Sequence, residues 1–157
     1  MNTLAFTWSE SSALAQQLSQ PVKAMSFSTM THGAPISVVL WHSDGKGVAI
    51  QSIMHDIAER FEIGVLDFSV VATRDGNDMN IDVPDSFRKN VKASKLDITD
   101  DGTTAESGVV LQASDGHEIT IVAGVFPYSL AVSILSFMPH GFEPEYPLDA
   151  YARVAIS

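Results

Sequence analysis

The chain has 157 residues, 45% hydrophobic and 18% charged, with a formal net charge of −10 and no cysteine. That length and composition fit one globular domain, residues 1–157, able to bury about 68–70% of its unfolded surface, and they exclude a chain disordered throughout. The absence of cysteine excludes disulfides, thiolate nucleophiles and zinc–thiolate sites. In chain order, Ser9-Glu10-Ser11-Ser12 precedes a run of helix formers that stops at Pro21. This predicts a short N-terminal helix with Leu14 and Leu18 facing inward, one turn apart. Residues 22–29 alternate loosely and read as a strand, and residues 31–35 as a loop. Residues 36–42 are rich in β-branched and aromatic side chains and predict a strand that turns at Asp44-Gly45 and returns over 47–53. Ile53, Ile57 and Phe61 at i,i+4 spacing suggest a helical turn over 54–60. Residues 61–73 carry apolar side chains on both faces, the pattern of a central strand.

Beyond Asp75-Gly76, residues 79–83 read as a possible return strand, and Pro84 can open a helix. Residues 87–96 carry few apolar groups and read as a short exposed helix or irregular segment, and residues 96–106 as a polar, mobile loop. Residues 107–114 and 117–123 form a second hairpin around Asp115-Gly116. Residues 128–137 follow as an apolar strand after the bend at Gly124-Val125-Phe126-Pro127, and residues 149–156 as a short strand or helix. Asp-Gly occurs four times, at 44–45, 75–76, 101–102 and 115–116, and suits the tight turns of antiparallel hairpins. The expected class is therefore α+β: a mainly antiparallel β-sheet built from hairpins, with an N-terminal helix and short additional helical segments. Its core should contain Val38, Leu40, Val48, Ile50, Ile63, Val65, Leu66, Phe68, Val109, Leu111, Ile119, Ile121, Leu130, Val132 and Ile134.

Charge is uneven. Between Leu96 and Ala152 there is no Lys or Arg, yet nine carboxylates occur: Asp97, Asp100, Asp101, Glu106, Asp115, Glu118, Glu143, Glu145 and Asp149. Such a surface repels nucleic acid and attracts cationic partners, or serves only to keep the protein soluble. The most apolar stretch, 119–137, is broken by Gly124 and Pro127 and has a strand pattern, so no membrane span is expected. The N-terminal residues lack positive charge and do not read as a signal peptide, which points to the cytoplasm.

No catalytic, metal or cofactor motif emerges. His55 and Glu59 stand one helical turn apart, but two ligands at that spacing are a weak signal beside a surface salt-linked turn. His42 beside Asp44, and His117 beside Asp115, have the arrangement of a base with a carboxylate, and equally that of a hairpin turn. Asp97, Asp100, Asp101 and Glu106 share composition with a calcium loop but lack its positional pattern. The segment His140-Gly141-Phe142-Glu143-Pro144-Glu145-Tyr146-Pro147-Leu148 mixes aromatics, prolines and carboxylates. It suits either a preformed acidic–aromatic binding patch or a strap that closes a sheet edge.

The Trp41-His42-Ser43-Asp44-Gly45 hairpin, the Gly124-Val125-Phe126-Pro127-Tyr128 bend and the Glu143-Pro144-Glu145-Tyr146-Pro147 strap resemble features of small bacterial immunity proteins of polymorphic toxin systems. The resemblance covers about a tenth of the chain. It implies an inhibitor that neutralises a toxin and assigns no residue. The acidic stretch by itself suggests a non-catalytic binding protein for a basic toxin or enzyme partner, with Asp97, Asp100, Asp101, Glu106, Glu143, Glu145 and Tyr146 as the partner-binding residues. The alternative is a small enzyme or ligand-binding domain with a pocket on one face of the sheet, lined by Trp41, His42, His55 and Tyr128.

Overall fold

The computed structural model describes residues 2–5, 7–8, 14–29, 34–58, 61–71, 79–100, 102–134 and 142–156. The strands are β1 (Asn2–Leu4), β2 (Thr7–Trp8), β3 (Val22–Thr29), β4 (Pro35–His42), β5 (Gly47–Ala58), β6 (Phe61–Val71), β7 (Met79–Asp82), β8 (Lys92–Asp100), β9 (Thr103–Gln112), β10 (Glu118–Ala123), β11 (Leu130–Ile134) and β12 (Ala152–Ala155). They form two six-stranded sheets. One runs β2-β6-β5-β4-β3-β7; the other runs β11-β10-β9-β8-β12, with β1 added in parallel to β9. Apart from β1 on β9 and β2 on β6, every ladder is antiparallel. The N-terminal segment thus contributes one short strand to each sheet.

The inner faces share one core. Met25, Phe27, Val38, Leu40, Val48, Ile50, Leu66 and Phe68 of the first sheet pack with Val109, Leu111, Ile119, Ile121, Leu130, Val132 and Ile134 of the second. All fifteen core residues anticipated from alternation are buried. This is the packing of a β-sandwich, in which period-2 side chains from two sheets meet. As its two-faced pattern implies, β6 is buried on both sides. Leu66 and Phe68 enter the shared core, while Ile63 and Val65 enter a second cluster with Leu96, Ile98, Val110, Val122 and Tyr151. Among the described residues three turns place a glycine in the left-handed region, Gly45 (φ 87°), Gly102 (φ 72°) and Gly116 (φ 90°), and all three close hairpins.

The α+β expectation is corrected to an all-β architecture: strands hold 64% of the described residues and helical turns 9%. The N-terminal helix is reduced to α1, the single turn Leu14–Leu18, too short to form a layer. Leu18 is buried in the core and Leu14 packs against it. The predicted Ser cap at residues 9–12 lies outside the described residues. Residues 54–58 are extended, as the end of β5. A spacing of four is two strand periods as well as one helical turn, so the Ile53/Ile57/Phe61 pattern could not distinguish the two.

Pro84 precedes a 3₁₀ turn, Asp85–Arg88, which inserts Phe87 fully into the core. The segment predicted as a polar loop over 96–106 is instead the β8–β9 hairpin. Leu96 and Ile98 are buried while Lys95, Asp97 and Thr99 alternate with them at greater exposure, the signature of a one-sided strand. Finally, β7 does not fold back on β6 but pairs with β3 at the opposite edge of its sheet.

Candidate functional site

Residues 142–151 form a strap over one end of the sandwich. It begins at an isolated antiparallel bridge between Gly124 and Pro144. The Glu145 N–H donates to the Ala123 carbonyl at 2.9 Å, and the Val125 N–H donates to the Glu143 carbonyl at 2.9 Å. Phe142 and Tyr146 pack on the second cluster. The Tyr146 hydroxyl donates to Asp100 Oδ2 at 2.7 Å, and its ring meets Tyr151 edge-on at a centroid distance of 6.3 Å. The chain then pairs with β8 through β12. The segment thus bridges the end of β10, an inner strand, and carries acidic side chains, while the strand that follows it, β12, lies at the edge beside β8.

The strap's carboxylates face different environments. Glu145 turns inward, and its Oε1 accepts the Gly64 N–H at 3.1 Å. On the same residue the Gly64 carbonyl accepts from Ser107 Oγ at 2.5 Å. Gly64 is glycine for reasons of space: a Cβ there would lie 2.5 Å from Ala123 Cβ and 2.6 Å from Ser52 Oγ. The two sheets and the strap thus converge on one bare stretch of backbone. Burial pushes the Glu145 carboxyl above its ordinary value; the Gly64 hydrogen bond opposes this and the Asp100 charge adds to it. Burial also raises Tyr146, reinforced by its bond to Asp100, and raises Tyr151 to about 12. Glu143, by contrast, is exposed, as is Asp149, and none of the described ion pairs involves either.

The predicted partner-binding residues divide accordingly. Asp100, Glu145 and Tyr146 come together under the strap, with Glu143 on its outer side. Asp97 and Glu106 lie across the β8–β9 ladder. Glu106 is buried in an ion pair with Lys95. Burial pushes Asp97 up, countered by Lys95 and reinforced by Glu106. Asp101 lies outside the described residues.

The residues of the alternative pocket do not converge. Trp41 pairs with Gly47, whereas His55 stands eight residues further along β5, opposite Ile63. His42 is fully buried with Nδ1 3.1 Å from the Gln20 carbonyl and Nε2 unpartnered, and burial lowers its basicity. Asp44 and Asp115 accept the Lys46 and His117 N–H groups, each at 3.0 Å, in the role of turn residues. Glu59 and His140 fall outside the described residues. An open hollow of about 350 Å³, lined by Asn90, Lys92, Gln112, Ala113, Ser114 and Gly116, has Lys92 as its one titratable lining residue.

Sequence reasoning marked the bend at residues 124–127, between β10 and β11, but not the apolar side chains it exposes. Val125, Phe126 and Tyr128 are 54%, 43% and 55% exposed. Tyr128, predicted to begin a strand, sits in a turn with φ 65°. The Ser129 N–H donates to the Phe126 carbonyl at 3.0 Å. With Pro127 fixing φ near −65°, this is a type II turn, whose third position favours glycine. The Phe-Pro-Tyr-Ser string carried that signal, since proline at the second position pre-sets the turn.

No family model matches the chain, and no curated protein or solved structure matches it.

Proposed function

We propose that the protein is a non-catalytic binding protein that holds a basic protein partner against its strap and the adjoining corner, as an immunity-type inhibitor neutralising a basic toxin or enzyme in the cytoplasm. A toxin of the nuclease type is a natural target, because carboxylates can occupy the cleft that otherwise takes phosphates. One observation carries the reading. Exposed Glu143 is tied through its own carbonyl to exposed Val125, with Phe126 and Tyr128 beside it. Apolar and aromatic anchors rimmed by charge are the usual anatomy of a protein–protein interface. A net charge of −10 supplies long-range attraction for a cationic partner. Glu106 and Glu145 are committed to holding the scaffold, so Glu143 and Asp149 provide the outward charge.

The test is capture of partners from the source cell's lysate at low and at high salt, using the wild type and a Glu143→Lys/Asp149→Lys variant. A basic protein should be retained at low salt, released at high salt and lost with the variant. Recovery of no basic protein, or capture indifferent to salt, would refute the proposal.

A further inference from the structure

We infer that the corner formed by residues 124–129 is a preformed anchor for a protein segment in which an apolar side chain adjoins a lysine or arginine. This rests on the binding role proposed above and names the chemistry that role would recognise.

The corner is built to stay in place. The Gly124 N–H donates to the Ser129 carbonyl at 2.8 Å, and the Ser129 hydroxyl donates to the Phe126 carbonyl at 2.6 Å. The Val125 N–H is held by the strap through the Glu143 carbonyl. A Cβ at position 124 would lie 2.3 Å from Ser129 Oγ and 3.2 Å from backbone carbons of Ser129 and Leu130, so close approach closes the loop at its base. Within this frame Tyr128 occupies the left-handed conformation that glycine would adopt without strain. The scaffold tolerates an unfavourable backbone geometry and thereby projects a large aromatic side chain. Fixing the backbone in advance lowers the ordering cost of binding, and tyrosine loses few rotatable bonds when it docks.

Charge selects the occupant. Glu143 is exposed beside Val125, and the whole molecule carries −10. A cationic side chain next to an apolar one satisfies both features, whereas an anionic lipid surface is repelled.

The experiment selects random peptides displayed on phage against the wild-type protein, then measures the enriched peptides on Tyr128→Gly, Phe126→Ser and Glu143→Gln variants, with unfolding curves for each. Enriched sequences should pair an apolar residue with Lys or Arg. Their affinity should fall about tenfold or more on Tyr128→Gly and Phe126→Ser, about 1.4 kcal/mol per tenfold. Glu143→Gln should cost less and reduce the salt dependence. Tyr128→Gly should fold at least as well as the wild type, which separates lost binding from lost structure.

Basic peptides that bind Tyr128→Gly and Phe126→Ser as tightly as the wild type would overturn the corner as the site while leaving the acidic binding role standing. Enriched peptides without basic residues would overturn both the stated chemistry and that role, as would no enrichment. Binding of the wild type to phosphatidylcholine vesicles, abolished by Phe126→Ser, would also overturn it, in favour of a lipid surface.

Discussion

Among the described residues the chain reverses tightly in two kinds of place, and they treat the same backbone constraint in opposite ways. At Gly45, Gly102 and Gly116 the left-handed φ falls on glycine, and a Cβ at any of the three would meet nothing within 4 Å. At the β10–β11 corner the left-handed φ falls on Tyr128, which is more than half exposed. The hairpins only connect strands, and their sequence satisfies the local rule. The corner breaks the rule, and what it obtains is a tyrosine held at the surface beside Phe126 and Val125. Departures from local preference concentrate where a protein presents something, because elsewhere a cheaper residue serves.

Substitutions can break or sharpen this contrast, beginning on the scaffold side. Phe87 is fully buried on a 3₁₀ turn and packs in the shared core. Phe87→Ala should lower stability by about 3–5 kcal/mol in a urea titration. Gly64→Ala should lower it by about 1–3 kcal/mol, because the new methyl meets Ala123 and Ser52 at distances no Cβ tolerates.

The comparison itself is tested by a matched pair. Gly116→Ala should destabilise by about 1–2 kcal/mol, from backbone conformation alone. Tyr128→Gly should stabilise by up to about 1 kcal/mol, since relief of strain outweighs the added freedom of the unfolded chain. Equal signs in the two unfolding measurements would erase the distinction between the turns.

The smallest effects concern pH. Glu145 has a raised carboxyl pKa in the folded state, so the unfolded chain ionises first. Its contribution is therefore most favourable below the ordinary glutamate range and declines as pH rises through and above that range. Glu145→Gln keeps an acceptor for the Gly64 N–H and should remove this decline, read from urea midpoints between about pH 4 and about pH 7. His42 gives the opposite slope. Its folded-state pKa lies below 6.5, so stability is full above that value and falls as pH drops beneath it. His42→Gln should flatten that fall.

Much of the sandwich was legible because a strand exposes its period directly. The alternation in 36–42, 61–73 and 117–123 identified the core, and Asp-Gly at 44–45 and 115–116 marked hairpins. The class was misread where two periods coincide, as at Ile53 and Ile57, and where a one-sided strand such as 92–100 carries too much charge to look buried. The candidate site was less legible because its geometry is non-local. Glu143 and Glu145 look alike in sequence, yet Glu145 is drawn inward by an N–H 81 positions away. The acidic stretch likewise gave no sign that Glu106 would be neutralised by Lys95, eleven positions earlier. Pairing across strands, rather than local composition, decided which carboxylates reach the surface.

The most direct measurement is the dissociation constant of the basic partner captured at low salt, determined for the wild type and Tyr128→Gly alongside their unfolding midpoints. A loss of affinity of about tenfold or more, with the midpoint unchanged or raised, is the predicted result. Unchanged affinity would contradict it, and would leave the exposed tyrosine as strain without a purpose.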